Sequence, residues 1–228
     1  LELEGYAWGI YRAGIKGVTN DTLVEKAVNL LYPNNTFETR FAASNYLARA
    51  RNINVDNNLD SIISSAMFDK SPFVRMASTS ALSKSKSDKT ISAIKNTIIK
   101  DADYRVRINA LRTMNSFDFV ETQEAVFDAL KDENVNVAIT AASLLFNKAN
   151  STVSNRIIGI ADSVNWRVSA QLLGAALKMN AQDQALLEKI KTKFSNSTNE
   201  YEKAELLTSL GNSFSAYDFI VTHSFGSD

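Results

Sequence analysis

The chain has 228 residues, of which 45% are hydrophobic, and its 25 Lys and Arg side chains balance 25 Asp and Glu side chains. This length is ample for a buried core, and the zero formal charge argues against a protein dedicated to nucleic acid or to anionic membranes. The absence of cysteine excludes disulfides and thiolate chemistry, and the 8 Gly and 2 Pro residues favour helices joined by short polar turns.

In chain order, the sequence predicts helices of two alternating kinds, which we term A and B. A B helix is predicted at 2–17, without an A partner. Pairs of A and B helices are predicted at 21–31 and 35–47, at 56–67 and 71–82, at 89–100 and 103–114, and at 122–130 and 133–145. A B helix at 164–177, an A and B pair at 181–194 and 199–210, and an unpaired A helix at 214–224 complete the chain.

The B segments repeat around one anchor position, which is occupied by Arg40, Arg75, Arg107, Ala138, Arg167 and Lys203. The separations of 35, 32, 31, 29 and 36 residues are typical of helical repeats. Offsets of three and seven from the anchor lie on one face of a helix, so both columns are predicted to pack in the core. The columns read Ala43, Ser78, Ala110, Ala141, Ala170 and Leu206, and then Leu47, Leu82, Met114, Leu145, Gly174 and Leu210.

The starts of the B helices carry recognisable signals. Pro72 is expected just inside the start of one B helix, where a missing N–H group costs nothing. Asp101, Asp132 and Asp162 lie near the starts of others, where a carboxylate can cap the helix or interact favourably with the helix dipole.

These segments resemble HEAT repeats, particularly the short bacterial HEAT-like type. That family tends to carry an aspartate six residues before the anchor arginine, as Asp69 precedes Arg75 and Asp101 precedes Arg107, whereas Asn34 before Arg40 departs from the pattern. The resemblance implies an all-α fold, a right-handed α-α superhelix or solenoid of about six helical-hairpin repeats with incomplete repeats at both ends. We expect residues 1–228 to form a single domain with one continuous core, as part of a longer protein.

A narrower resemblance comes from the stretches YAWGIYRAGIKG, SPFVRMASTSALSK and DYRVRINALR. They resemble the HEAT segment of bacterial cell-envelope proteins that also carry cyclophilin-type peptidyl-prolyl isomerase domains. This resemblance implies a periplasmic or envelope location, with the isomerase domains outside these residues; otherwise the location is expected to be cytoplasmic. No stretch of the chain matches a cyclophilin catalytic motif.

The resemblance also implies a ladder of ion pairs across adjacent repeats, formed by Asp69, Arg75, Asp101, Arg107, Arg40 and Arg167. A contact with a ligand is the alternative role for these arginines. In HEAT-like solenoids the B helices line the concave surface, so offsets two, five and nine from the anchor predict a polar groove, with a solvated face as the alternative. The residues predicted to bind a partner there are Asn45, Arg49, Ser80, Lys84, Asn109, Arg112, Thr140 and Ser143.

Function is predicted from this groove. The leading prediction is that the chain is a non-catalytic scaffold, whose groove binds a protein or peptide or positions flanking domains. Residues 40–112 hold 13 Lys and Arg against 6 Asp and Glu, so nucleic-acid binding or DNA repair is the alternative, and Asp162, Trp166 and Arg167 would then act together. His223 is the only histidine, and no phosphate loop, serine elbow or Cys/His ligand spacing occurs, so we predict no catalytic residue, metal or cofactor.

Overall fold

The computed structural model describes residues 2–224 and is all-α over that range. It contains fourteen α-helices in the described residues: α1 Glu2–Ile15, α2 Asp21–Leu30, α3 Phe37–Arg49, α4 Leu59–Phe68, α5 Pro72–Leu82, α6 Asp88–Lys100, α7 Tyr104–Met114, α8 Phe119–Ala129, α9 Val135–Lys148, α10 Ser154–Ala161, α11 Trp166–Met179, α12 Gln184–Asn196, α13 Glu200–Leu210 and α14 Tyr217–Ser224. Odd-numbered helices correspond to the predicted B set and even-numbered helices to the A set. Residues 1 and 225–228 of the predicted single domain lie outside the described residues.

The chain divides into two compact units, Leu1–Ala125 and Val126–Asp228, and the boundary falls within α8. In unit 1, the B helices α1, α3 and α5 each pack on the next B helix, and α3, α5 and α7 also pack on the A helix that precedes them. In unit 2, α9, α11 and α13 pack in the same way, with α10 against α11 and α12 against α13. This sequential packing is consistent with a helical repeat built from hairpins.

The two predicted core columns are buried, which confirms that they face the packing between helices. Every member of both columns has lost nearly all of its solvent exposure. Small residues at the first column let neighbouring B helices approach, and large residues at the second fill the remaining space. Each fully buried leucine in the second column contributes about 2 kcal/mol of hydrophobic stabilisation.

The first helix shows how closely the B helices approach. A Cβ atom built on Gly14 would lie 2.6 Å from the ring of Tyr46 in α3, so only glycine fits this place. The turn that follows the helix contains Gly17, whose φ of 86° is the left-handed conformation that glycine adopts without strain. Val18 N–H donates to the Ala13 carbonyl (2.9 Å) across this turn, which satisfies an otherwise free helix-end acceptor.

The capping residues differ from those predicted. The side chain of Asp103, rather than Asp101, accepts the hydrogen bond from a backbone N–H of α7, and Asn134 and Asn165 do the same for α9 and α11. Asp101 lies two residues too early and instead accepts from the Asp103 N–H and from an arginine. Pro72 is the first residue of α5, as predicted.

The predicted register of α11 is wrong by two residues. Arg40, Arg75, Arg107, Ala138 and Lys203 are each the fourth residue of their helices. Because α11 begins at Trp166, its fourth residue is Ser169, and Arg167 lies two places too early. Alignment of the repeats within the sequence does not detect the shift. Nearly every residue of α11 from Val168 to Leu177 is buried, so two registers fit the core columns equally well.

The remaining helices lie close to their predicted positions, with two additions. A helix that was not among those predicted, α10, supplies the A partner of α11. Short 3-10 turns at Asp56–Asn58, Ser151–Val153 and Phe214–Ala216 lead into α4, α10 and α14. No helix in the described part of the chain has the length and apolar character needed to cross a membrane.

Candidate protein-interaction surface

Ion pairs between arginine and aspartate join consecutive repeats of unit 1 near the beginnings of the B helices. Arg40 donates from Nε and Nη2 to the carboxylate of Asp69 (2.7 and 3.1 Å), and Arg75 makes the same bidentate contact with Asp101 (2.7 and 2.8 Å). Arg75 also donates to the Asp69 carbonyl oxygen (2.9 Å), so each aspartate is held from both sides. The hydrogen bonds that Arg40 and Arg75 donate to Asp69 and Asp101 raise the pKa of both arginines above the ordinary arginine value.

The other two arginines of the predicted ladder are Arg107 in unit 1 and Arg167 in unit 2. Arg107 is buried and donates to the Asp101 carbonyl oxygen (2.8 Å), which is the backbone half of the same arrangement. Arg167 is exposed, and its guanidinium lies over the Trp166 ring, 5.0 Å from its centroid. The two-residue register shift explains this placement, because Ser169 occupies the anchor position that the other arginines hold.

Lysines join the opposite ends of the B helices. Lys84 of α5 donates to the carbonyl oxygens of Leu47 (2.7 Å) and Ala48 at the end of α3. With the register of α11 corrected, Lys178 stands at the same position and donates to the Phe146 carbonyl at the end of α9 (3.0 Å). A cation near the carbonyl groups at a helix end also interacts favourably with the helix dipole. The structure therefore places Lys84 in the packing of α3 and α5, away from the predicted groove.

Amide and hydroxyl groups join the B helices midway along their length. Asn109 Nδ2 donates to the Met76 carbonyl (2.8 Å) and to Ser80 Oγ (3.0 Å), which links α7 to α5. In unit 2, Ser143 Oγ donates to Ile139 O (2.9 Å) and to Gln171 Oε1 (3.3 Å), which links α9 to α11 at the equivalent offsets.

Three other residues that were predicted to bind a partner lie in unit 1, on the B helices α3 and α7. Asn45 is buried and donates within its own helix to the Phe41 carbonyl (2.9 Å). Arg49 is exposed and donates to the Tyr11 hydroxyl (3.1 Å), and Arg112 is exposed on α7. Thr140 lies in unit 2 and donates to the Asn136 carbonyl (2.8 Å).

Aromatic side chains cover the same side of the B helices in unit 1. Trp8 contacts both Tyr11 and Phe41 edge to face, and Phe41 contacts Phe73 in the same manner, with ring centroids 5.5 to 6.5 Å apart. Phe37 stacks on Phe41. Because Phe73 is 47% exposed, this row of rings reaches the surface and is not only core.

A cleft of about 330 Å³ lies beside these rings. Its lining brings together four of the residues predicted to bind a partner, Asn45, Arg49, Ser80 and Asn109, with Phe41, Ala48, Phe73, Met76 and Ala77. We call this region of α1, α3, α5 and α7 the B-row surface; it consists of Trp8, Tyr11, Phe41, Asn45, Arg49, Phe73, Met76, Ser80, Arg105, Asn109 and Arg112.

The aromatic part of the B-row surface was missed in the sequence, although a signal was present. The position directly after the anchor reads Phe41, Met76, Ile108 and Ile139, and all four side chains are only partly buried. This column lies outside the two core columns, so packing between helices does not account for its large apolar residues. They therefore indicate an apolar patch at the surface.

Unit 2 has its own cleft on α9, α11 and α13. It has a volume of about 450 Å³ and a lining that includes Phe146, Gln171, Gly174 and Glu205. Of the three residues predicted to act together in DNA repair, Asp162 pairs with Lys189 (2.7 Å) and Arg167 lies over the Trp166 ring. Within residues 2–224, no three acidic or His side chains gather as potential metal ligands.

Comparison of the chain with protein-family models and with curated proteins finds no match. The B-row surface is therefore interpreted from its own geometry and chemistry.

Proposed function

We propose that this chain is a non-catalytic interaction scaffold of HEAT-like helical hairpins, and that the B-row surface binds a polypeptide. One observation carries the proposal: partly buried aromatic rings from α1 and α3 and the exposed ring of Phe73 from α5 adjoin a cleft that already contains amide, hydroxyl and guanidinium groups. Clefts of roughly 300 Å³ or more with an apolar lining and a few polar groups are typical of binding sites. Exposed aromatic and Arg side chains are also the residue types that dominate protein interfaces.

The proposed architecture is a right-handed solenoid with the B helices on its concave side. It is supported by the packing in unit 1, where B helices contact one another closely and the A helices contact one another much less. Such unequal spacing of two helix layers produces curvature towards the closer layer. A compact domain of this length has a radius of gyration of about 17 Å, so a value at or below that by small-angle scattering would contradict the solenoid.

A narrower form of the proposal is that the scaffold belongs to a bacterial cell-envelope protein with cyclophilin-type isomerase domains. Its support is the resemblance of three segments, which here form α1, α5 and α7 of unit 1. In that case the B-row surface would hold or space client chains for the flanking domains. The encoded sequence on either side of this segment tests the idea, because a protein without a cyclophilin domain would rule it out.

Selection from a displayed library of random peptides tests the binding function. We expect enriched peptides to bind the wild-type chain and to lose at least tenfold in affinity for Phe73→Ala. The matched control is Ile99→Ala, which removes an exposed apolar side chain from the A helix α6 and should leave binding unchanged. Circular dichroism would verify that both variants are folded. Peptides that bind both variants equally, or no enrichment at all, would contradict the proposal.

Nucleic-acid binding is the competing function. Its support is the excess of positive charge over residues 40–112, but Arg40 and Arg75 are already paired with carboxylates and Lys84 caps a helix. Affinity for a DNA duplex that falls steeply with salt, and that is lost in Arg49→Ala with Arg112→Ala, would favour it over the scaffold.

A further inference from the structure

We propose that the partner of the B-row surface is an acidic polypeptide segment, bound in extended form across α3, α5 and α7 with one apolar side chain in the cleft. This inference rests on the proposed binding function and adds the chemistry of the partner. Three properties of the surface lead to it: its unbalanced charge, the apolar lining of the cleft and the spacing of its exposed arginines.

The charge of α3, α5 and α7 is strongly one-sided. These three helices contain six arginines and a single acidic residue, Glu38. Arg40 and Arg75 are neutralised by buried carboxylates, and Arg105 pairs with Asp103, whose pKa falls to about 2 because Arg105 donates hydrogen bonds to it.

Two arginines on this surface, Arg49 and Arg112, form no ion pair with a carboxylate in the described part of the chain. Among residues 2–224, Arg49 donates a hydrogen bond to one side chain, the neutral hydroxyl of Tyr11, and a guanidinium has five N–H donors, so most of its hydrogen-bonding capacity is open. Arg112 is exposed one helical turn beyond Asn109 on α7. Guanidinium groups of this kind bind carboxylates in a bidentate manner.

The cleft beside Arg49 accepts an apolar side chain. Phe41, Phe73 and Met76 line it, and the Asn45 and Asn109 amides beside them already have hydrogen-bond acceptors. A side chain that enters the cleft therefore gains apolar contact without leaving those amides unpaired.

The arrangement of the rings favours a peptide over single-stranded nucleic acid. Bases bind single-strand proteins by stacking on open ring faces. Here Phe41 stacks on Phe37, the guanidinium of Arg105 lies 5.2 Å from the centroid of Phe73, and Trp8 makes edge-to-face contacts. The surface therefore offers ring edges and covered faces, which suit an aliphatic or aromatic side chain better than a row of bases.

The separation of the arginines sets the length of the segment. Packed helices lie about 8 to 10 Å apart, so α3 and α7, with α5 between them, are about 16 to 20 Å apart. An extended chain rises about 3.3 Å per residue, so about five or six residues join a carboxylate at Arg49 to one at Arg112. The apolar residue lies between those two carboxylates.

Fluorescence anisotropy with three labelled octapeptides tests the inference. The probe is Glu-Glu-Ser-Phe-Ser-Gly-Glu-Glu, and the two controls carry glutamine or lysine in place of every glutamate. We expect the glutamate peptide to bind at least tenfold more tightly than the glutamine peptide at low salt, and the lysine peptide to bind weakest. Arg49→Gln and Arg112→Gln should each reduce affinity for the glutamate peptide about threefold to fivefold. Lys100→Gln, which removes an exposed charge from α6, should not.

The outcomes separate this inference from the proposed function. Equal affinity for the glutamate and glutamine peptides would overturn the acidic partner, and Phe73-dependent peptides from the random library would still support the scaffold. Failure of all three octapeptides together with Phe73-dependent library peptides of neutral or basic composition would overturn the inference alone. Tighter binding of an oligothymidylate than of the glutamate peptide would overturn both.

Discussion

Single side chains determine how consecutive repeats of unit 1 are held together, and Arg75 is the clearest case. Its guanidinium joins the Asp101 carboxylate to the Asp69 carbonyl, and the side chains of the ion pair are only 13% and 4% exposed. Without the arginine, Asp101 would keep a buried charge with one partner fewer, and removal of one member of a buried pair is strongly destabilising.

We therefore expect Arg75→Ala to lower the free energy of unfolding by on the order of 3 kcal/mol, measured by urea denaturation. Lys89→Ala is the matched control, because the pair of Lys89 and Asp60 also joins two helices but is exposed, and such pairs contribute less than about 1 kcal/mol. Binding of a peptide to folded Arg75→Ala should be nearly unchanged. Equal destabilisation by the two variants would show that Arg75 is not a structural tie.

The partly buried amine of Lys84 should make the stability of the protein depend on pH. Burial lowers the pKa of Lys84 from 10.5 to about 8. Between these two values the unfolded chain binds more protons at this residue than the folded chain, so the free energy of unfolding rises with pH over that window. Urea denaturation from pH 7.5 to 10 should show this rise in the wild type and not in Lys84→Met.

Lys178 supplies the control for this titration. It makes the equivalent contact with a helix-end carbonyl, but it is exposed, so Lys178→Met should keep the rise in stability with pH. A wild-type protein and a Lys84→Met variant with the same pH dependence would mean that Lys84 titrates like an ordinary lysine.

At the scale of a helix, two glycines of α1 have opposite surroundings, one packed against α3 and one exposed. A Cβ on Gly14 would meet the Tyr46 ring at 2.6 Å, whereas a Cβ on Gly9 would meet nothing within 4 Å. Gly14→Ala should therefore destabilise the protein by about 1 to 3 kcal/mol through overpacking. Gly9→Ala should stabilise it by up to about 1 kcal/mol, because alanine is the better helix former. Thermal unfolding of both variants measures the difference, and two changes of the same sign would contradict the close packing.

The helices and the core columns could be predicted because they depend on local periodicity. Arg40, Arg75 and Arg107 stand at fixed places in their helices, and the small and large columns follow from that register. The register failed at α11, where burial of nearly the whole helix from Val168 to Leu177 removes the contrast between faces on which periodicity relies.

The candidate site was less predictable, since its members come from separate helices. Trp8, Phe41 and Phe73 meet only after three B helices have packed, and no spacing in the sequence joins them. Lys84 has the register of a groove residue, but its long side chain reaches back to carbonyls of the preceding B helix, which an offset along one helix does not reveal.

At the scale of the whole molecule, the main contacts in the described part of each unit join helices at most two places apart in chain order, as in repeat proteins, where stability is a sum of local terms. The two tryptophans allow the units to be followed separately, because Trp8 lies in unit 1 and Trp166 in unit 2. Trp166→Phe leaves a reporter for unit 1, and Trp8→Phe leaves one for unit 2.

We expect Arg75→Ala to move the urea midpoint reported by Trp8 down by about 1 M, and to move the midpoint reported by Trp166 by much less. Leu210→Ala, which opens a cavity in the core of unit 2, should give the reverse pattern, because a buried leucine is lost there at a cost of about 2 to 5 kcal/mol. Fluorescence-monitored urea denaturation of the four double variants measures both shifts. Equal shifts at both tryptophans in every variant would mean that residues 1–228 unfold as the single continuous domain that the sequence predicts, so that damage to one repeat is shared by all of them.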